Sequence, residues 1–219
     1  MKQLVIFDLD GTLLNTIEDL GTATNHALAA CGYPVHPIES YTRMVGNGVR
    51  KLIERALPDE DRSDKIIDRL LAEFRTYYDA HLYDFTVPYP GIPEALEELR
   101  ARGVALAVAS NKYESAVKRL ISHFFPNIQF ADVCGQTEGI PVKPDPSIIF
   151  RILGECPTPK AEVLYVGDSG VDMETARRAG VDSVGVSWGF RPVRELVAAY
   201  ADKVVDTPAE IVDLALNQS

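Results

Sequence analysis

Three apolar runs without polar alternation constrain this chain more than any other feature. Leu4-Val5-Ile6-Phe7 stops at Asp8, Val104-Ala105-Leu106-Ala107-Val108-Ala109 stops at Ser110-Asn111, and Val163-Leu164-Tyr165-Val166 stops at Gly167-Asp168. A strand with one wet face alternates apolar and polar residues, whereas a strand covered on both faces, as in a parallel sheet, does not. Val184-Gly185-Val186 and Val204-Val205 read as further, shorter strands. Helical spacing fills the intervals: Ile92, Ala95, Leu96 and Leu99 share one face, and Thr207-Pro208-Ala209-Glu210 is a capping box with proline in its first turn. This alternation predicts an α/β fold, a Rossmann-like parallel sheet covered by helices on both sides.

The segment 15–84 breaks the alternation. It holds no convincing strand and several helical patterns, among them Ile66, Ile67, Leu70, Leu71, Phe74 and Tyr77. The expectation is an all-helical domain at 15–84 inserted into an α/β core of 1–14 and 85–219, re-entered through Pro88-Tyr89-Pro90-Gly91. A chain of 219 residues is long enough for both.

A net charge of −10 disfavours nucleic acid and anionic lipid as partners. No apolar run reaches the roughly 18 residues of a membrane span. Lys2 leads straight into a short run ending on Asp8, unlike a signal peptide, so the expectation is a cytoplasmic protein without a membrane partner. Cys31, Cys134 and Cys156 are spaced too widely for a CxxC metal site or a disulfide framework and read as buried or idle thiols.

In open parallel sheets, ligands bind beyond the carboxyl ends of the strands, where the strand order reverses. Asp8, Ser110 and Asp168 fall at such ends. Clustered carboxylates need a shared proton or a cation, and Mg²⁺, which takes oxygen ligands, waters and a substrate phosphate, suits them. Asp8 and Asp10 are equally compatible with opening a turn or capping a helix. Gly11-Thr12 permits a tight passage whose N–H groups can cradle an anionic oxygen. Ser110-Asn111 adds a hydroxyl and an amide. Lys143 stands in Val142-Lys143-Pro144-Asp145-Pro146, ahead of a helix expected to have Asp145 as cap and Pro146 as first residue. Asp168 and Asp172 place carboxylates at a strand end and in the next helical turn. Taken singly, each has an ordinary reading as turn, cap, solvated charge or helix-dipole partner.

Taken in order, Asp8-Leu9-Asp10-Gly11-Thr12, Ser110-Asn111, Lys143 and Gly167-Asp168-Ser169-Gly170-Val171-Asp172 resemble the four signature motifs of the haloacid dehalogenase superfamily of aspartate-nucleophile phosphatases, across nearly the whole chain. Arg43-Met44-Val45-Gly46-Asn47-Gly48, Tyr77-Tyr78-Asp79-Ala80-His81-Leu82, Pro88-Tyr89-Pro90-Gly91 and Ser110-Asn111-Lys112 resemble its phosphoglycolate phosphatases. The resemblance implies that the helical insertion is a cap, that Asp8 is the nucleophile and that Asp10 is the acid and base. It further implies Mg²⁺ held by Asp8, the Asp10 carbonyl and Asp168, with Asp172 behind them or reaching the ion through water. Ser110, Asn111 and Lys143 would bind the transferring oxygens, and Thr12 would tie the loop.

The implied activity is Mg²⁺-dependent hydrolysis of a small phosphomonoester through an aspartyl-phosphate, with 2-phosphoglycolate the first candidate and the oligomeric state, monomer or homodimer, left open. Phosphatases of sugar phosphates, nucleotides or pyrophosphate, and sugar-phosphate mutases, share the same core residues. Asp10 argues against a dehalogenase or a phosphonate hydrolase. A non-catalytic relative would show degenerate residues at 8, 10, 143 or 168, and none is degenerate.

In the insertion, Gly46-Asn47-Gly48 precedes a helix carrying Val49, Leu52, Ile53 and Ala56. Its free N–H groups, with Arg43 nearby, could hold a second anionic group on the substrate, although the stretch also fits an ordinary helix–helix turn. Tyr77, Tyr78 and His81 read as packing residues.

Overall fold

The computed structural model of the chain describes residues 1–217. In chain order its strands are β1 (Leu4–Phe7), β2 (Leu14–Asn15), β3 (Val87–Pro88), β4 (Ala105–Tyr113), β5 (Asp132–Gln136), β6 (Val163–Gly167), β7 (Asp182–Val186) and β8 (Lys203–Val205). The helices are α1 (Ile17–Ala30), α2 (Val49–Ala56), α3 (Asp64–Ala80), α4 (Ile92–Ala101), α5 (Glu114–Phe124), α6 (Ser147–Glu155), α7 (Gly170–Ala179), α8 (Val193–Ala198) and α9 (Pro208–Leu216).

Six strands form one parallel sheet in the order β5-β4-β1-β6-β7-β8. Successive residues of a strand point to opposite faces, and here both faces are covered. Val5 and Phe7 join Leu106, Val108, Leu164 and Val166 in a core shared with α4, α5 and α9. Leu4 and Ile6 join Ala107, Ala109, Val163 and Tyr165 in a second core under α6 and α7. Each large aliphatic side chain so buried contributes about 1.5–3 kcal/mol, which is why the central strands carry no polar alternation. From β1 the chain steps outward to β4 and β5, then crosses back to β6 on the other side of β1. That reversal brings the carboxyl ends of β1, β4 and β6 together.

One strand of the six-stranded sheet escapes the sequence pattern, as do the two short strands β2 and β3 outside it. β5, Asp132-Val133-Cys134-Gly135-Gln136, lies at the sheet edge and needs no doubly buried apolar run. The helix expected to begin at Pro146 begins at Ser147, with the Asp145 carboxylate accepting the Ser147 N–H at 2.9 Å. The capping box at Thr207 and Glu210 opens α9 with Pro208 first. Among the described residues, no helix is long and apolar enough to cross a membrane.

Between β2 and β3 lie α1, α2 and α3, with α1 packed along α3. The two crossings into this helical part pair as an antiparallel ribbon, Leu14 opposite Pro88 and Asn15 opposite Val87. Asp19 of α1, buried, clasps the return: its carboxylate accepts the N–H groups of Phe85 and Thr86 at 3.0 and 2.8 Å and the Thr86 hydroxyl at 2.6 Å.

The pairing of β4 with β5 slips between Ala109 and Tyr113, so Ser110, Asn111 and Lys112 ride on an irregular strand end. Gly135 of β5 makes room for it, because a Cβ there would lie 2.5 Å from Glu114 Cα and 2.6 Å from the Lys112 carbonyl oxygen. Gly135→Ala should therefore destabilise the protein by about 1–3 kcal/mol through overpacking. Urea unfolding measures this, and an unchanged midpoint would mean that residues 110–114 yield freely.

Candidate active site

Asp8 follows β1 directly, its N–H donated to the Val166 carbonyl at 2.8 Å, and its side chain lies on the floor of a crevice beyond the carboxyl edge of the sheet. Lys143 lies beside it, 2 % exposed. Its ammonium is 2.9 Å from Asp8 Oδ1 and 2.7 Å from Asp172 Oδ1, and it donates to the Ala109 carbonyl at 2.9 Å. Asp172 is committed on both oxygens. Oδ1 also accepts the Tyr165 hydroxyl at 3.1 Å, and Oδ2 accepts the Ser169 hydroxyl at 2.6 Å within the capping box that opens α7. Asp168, at the end of β6, accepts the Phe190 N–H on Oδ2 at 2.7 Å.

The loops around these acids are shaped by close approach. Gly11 has φ +86°, and a Cβ on it would collide with the Asp168 carboxylate; Gly189 meets Asp168 from the other side. The expectation that Gly11 and Thr12 offer free N–H groups to an anion is corrected here. The Gly11 N–H goes to the Leu14 carbonyl at 2.8 Å and the Thr12 N–H to the Leu9 carbonyl at 3.3 Å, because the tight turn consumes its own donors. The Thr12 hydroxyl is buried without a hydrogen-bond partner among the described residues, so it does not tie the loop. The Thr12 carbonyl does, accepting Trp188 Nε1 at 3.1 Å.

Burial is the main force raising the Asp8 pKa to about 7, with Lys143 opposing and the charges of Asp172 and Asp10 adding to the rise. Asp168 is pushed well up by the same burial and by Asp172 and Asp8, against the Phe190 N–H and Lys143. For Lys143, burial works against the charge, but Asp172 and Asp8 outweigh it and hold the ammonium well above its ordinary value.

Carboxylate oxygens of Asp8, Asp168 and Asp172 lie within 4.8 Å of one another, all buried. With Asp10, four carboxylates face two paired ammonium groups, Lys143 and Lys112. An oxygen-only donor set with surplus negative charge fits a hard divalent cation. Asp8 and Asp168 have oxygens to spare for one, whereas Asp172 is already shared between Lys143 and Ser169.

On the β4 side, Ser110 lines the crevice and its hydroxyl accepts the Lys112 N–H at 3.2 Å. Asn111 is placed differently from its expected role on transferring oxygens. Its amide accepts the Lys143 N–H at 2.8 Å and donates to the carbonyls of Lys143 and Gly46 at 3.1 and 3.0 Å, so it fastens the Lys143 loop and the 45–48 loop to β4. Asp10 lines the crevice with Oδ1 held by Lys112 Nζ at 2.9 Å and the Thr16 hydroxyl at 2.6 Å.

Gly46 and Gly48 line the opposite wall, both at positive φ. Arg43 is exposed and does not line the crevice, because the short helix ending at Arg43 turns its side chain to solvent. Asn47 likewise turns away and accepts a guanidinium N–H of Arg55 at 2.7 Å. The cation on that wall is Arg191, which lines the crevice and donates to the Val45 carbonyl at 2.8 Å. Tyr77 stacks between His26 and His81, as packing residues do, but Tyr78 puts its hydroxyl 3.0 Å from Lys112 Nζ. Gly189, Arg191, Lys112 and Tyr78 were thus missed as site residues. Trp188-Gly189-Phe190, a glycine between two large rings, was the one local sign of a close approach.

The sequence profile of haloacid dehalogenase-like hydrolases matches residues 5–186. The phosphoglycolate phosphatase of Pseudomonas savastanoi pv. phaseolicola is 35% identical over 97% of this chain and 77% of its own length. That of Aquifex aeolicus is 32% identical over 98% of this chain and 97% of its own. The crystal structure of a Lactobacillus delbrueckii subsp. bulgaricus protein superposes with a TM-score of 0.93 at 32% identity, covering 100% of both chains.

Lys143→Met should leave Asp8 and Asp172 without their buried cation and cost about 3–5 kcal/mol of stability in metal-free buffer. Denaturant unfolding at neutral pH tests this, and a loss below about 1 kcal/mol would mean that water or protonation replaces the ammonium cheaply.

Proposed function

The chain belongs to the haloacid dehalogenase-like hydrolase family, and within it we propose a Mg²⁺-dependent phosphatase that hydrolyses a small phosphomonoester through an aspartyl-phosphate. The observation that carries this reading is the pair of strand-end carboxylates, Asp8 and Asp168, buried beside Lys143 on the crevice floor and next to Ser110. The division of labour proposed for the chain is a core of 1–14 and 85–219 beneath a helical cap of 15–84.

A carboxylate oxygen of Asp8 attacks phosphorus while the bond to the leaving oxygen breaks, and Asp10 gives that oxygen a proton. Asp10, now a carboxylate, then takes a proton from a water whose oxygen attacks the same phosphorus. The bond to Asp8 breaks, phosphate leaves and both residues return to their starting states. Lys143 and the Ser110 hydroxyl hold the transferring oxygens in place, where fixed donors act most strongly. When bound, Mg²⁺ between Asp8, Asp168 and the Asp10 carbonyl would offset the charge that carboxylate and phosphoryl group bring together.

For the substrate we propose 2-phosphoglycolate, a reading supported by relatives named phosphoglycolate phosphatase. Its carboxylate needs a cation on the cap-facing wall. Arg191, with its side chain 15% exposed and one N–H on the Val45 carbonyl, is the residue that the geometry favours over Arg43.

A phosphate-release screen of the purified protein with Mg²⁺, over 2-phosphoglycolate, sugar phosphates, nucleotides and pyrophosphate, should give the highest kcat/KM on 2-phosphoglycolate. EDTA should abolish turnover and Mg²⁺ restore it, and Asp8→Asn should be inactive. Full activity after exhaustive chelation would refute the metal-dependent reading. Arg191→Ala should lower kcat/KM on 2-phosphoglycolate by about 1.5–3 kcal/mol more than on an aryl phosphate, while Arg43→Ala should change neither. Equal losses on both substrates in Arg191→Ala would remove the carboxylate contact.

A further inference from the structure

We propose that Lys112 is a positioning residue that sets the Asp10 carboxylate, and that Tyr78 makes this setting depend on the seating of α3; the inference rests on Asp10 being the acid and base of the proposed reaction. The Lys112 side chain is only 4% exposed, yet it carries a charge. A buried ammonium is costly unless paired, and a Leu or Met would pack the same space without that cost. Its Nζ meets Asp10 Oδ1 at 2.9 Å and the Tyr78 hydroxyl at 3.0 Å, and lies 4.9 Å from the centre of the Tyr78 ring. Thr16 adds a second donor to the same Asp10 oxygen at 2.6 Å.

Two donors on Oδ1 fix the rotamer of Asp10 and leave Oδ2 for exchange with a leaving group or water. Lys112 comes from the irregular end of β4, Asp10 from the loop after β1, and Tyr78, fully buried, from α3 in the helical segment. The ammonium can hold both partners only while α3 packs over the end of β4. Asp10 and Tyr78 engage two of its three N–H donors, and a role through Asp10 predicts losses that follow the leaving group and not the carboxylate of the substrate.

The test compares kcat/KM, which reports the step that expels the leaving group, for Lys112→Met, Lys112→Arg and Tyr78→Phe in the full-length protein with Mg²⁺. The substrates are 2-phosphoglycolate, glycerol 1-phosphate and p-nitrophenyl phosphate. Positioned proton transfer is worth about 10²–10⁴-fold, so Lys112→Met should lower kcat/KM about 10–100-fold on both alkyl substrates and less than about 3-fold on the aryl one, whose leaving group needs no proton. Lys112→Arg should recover part of the loss, and Tyr78→Phe should show the same pattern more weakly. Equal losses on all three substrates, or a loss confined to 2-phosphoglycolate, would overturn the assignment, the second by making Lys112 a substrate contact.

A crystal structure of Lys112→Met should show Asp10 in a different rotamer, and an unmoved carboxylate would overturn the assignment as well. Inactivity of the wild-type protein on every phosphomonoester would refute the phosphatase reading alone, since the Asp10 rotamer still judges Lys112. If Lys112→Met does not fold, Tyr78→Phe carries both measurements.

Discussion

Lys143 is the interaction on which the site depends. Its ammonium touches Asp8 and Asp172 together, and Asp172 in turn holds Ser169 and so starts α7. Without an internal cation, the acids that the sheet topology crowds together would drive one another toward protonation. One buried lysine cannot neutralise them all. Burial, with the neighbouring acids adding to it, raises the pKa values of Asp8 and Asp168, and the uncompensated carboxylates suit the crevice floor to a hard cation.

The second constraint is the tie between the helical segment and the sheet. Asp19 clasps Phe85 and Thr86 where the chain returns, and β2 pairs with β3, so both crossings are held side by side. Across the crevice, Asn111 holds the Gly46 carbonyl and Arg191 the Val45 carbonyl, while Lys112 reaches Tyr78. The last three contacts each join a residue of the helical segment to a residue from a strand end or its loop. A shift of the helical segment therefore disturbs the groups next to Asp8 and Asp10.

The parallel sheet was legible because burial on both faces demands uninterrupted apolar runs, as β1, β4 and β6 have. β5 was not, because an edge strand with one partner tolerates Asp132 and Gly135. Asp8, Ser110 and Asp168 were legible as neighbours because strand ends in a parallel sheet converge wherever they lie in sequence, whereas Lys143, on the loop ahead of α6, was legible only through the order of motifs that resembles the superfamily. Arg43 was placed at the site by nearness in sequence to Gly46, and the side chain turns to solvent instead.

The sequence by itself determined the doubly covered strands, the helical patterns between them and in the insertion, and the carboxylates Asp8 and Asp168 at strand ends, because backbone periodicity and strand termination are local properties. Only the tertiary structure decided which donors remain free. The turn at Gly11 uses its own N–H groups, the Asn111 amide is consumed by Lys143 and Gly46, and Arg191, far from Arg43 in sequence, becomes the cation beside Val45 at the crevice. Hydrogen-bond partners and burial are set by residues brought together from distant segments, and no local pattern records them.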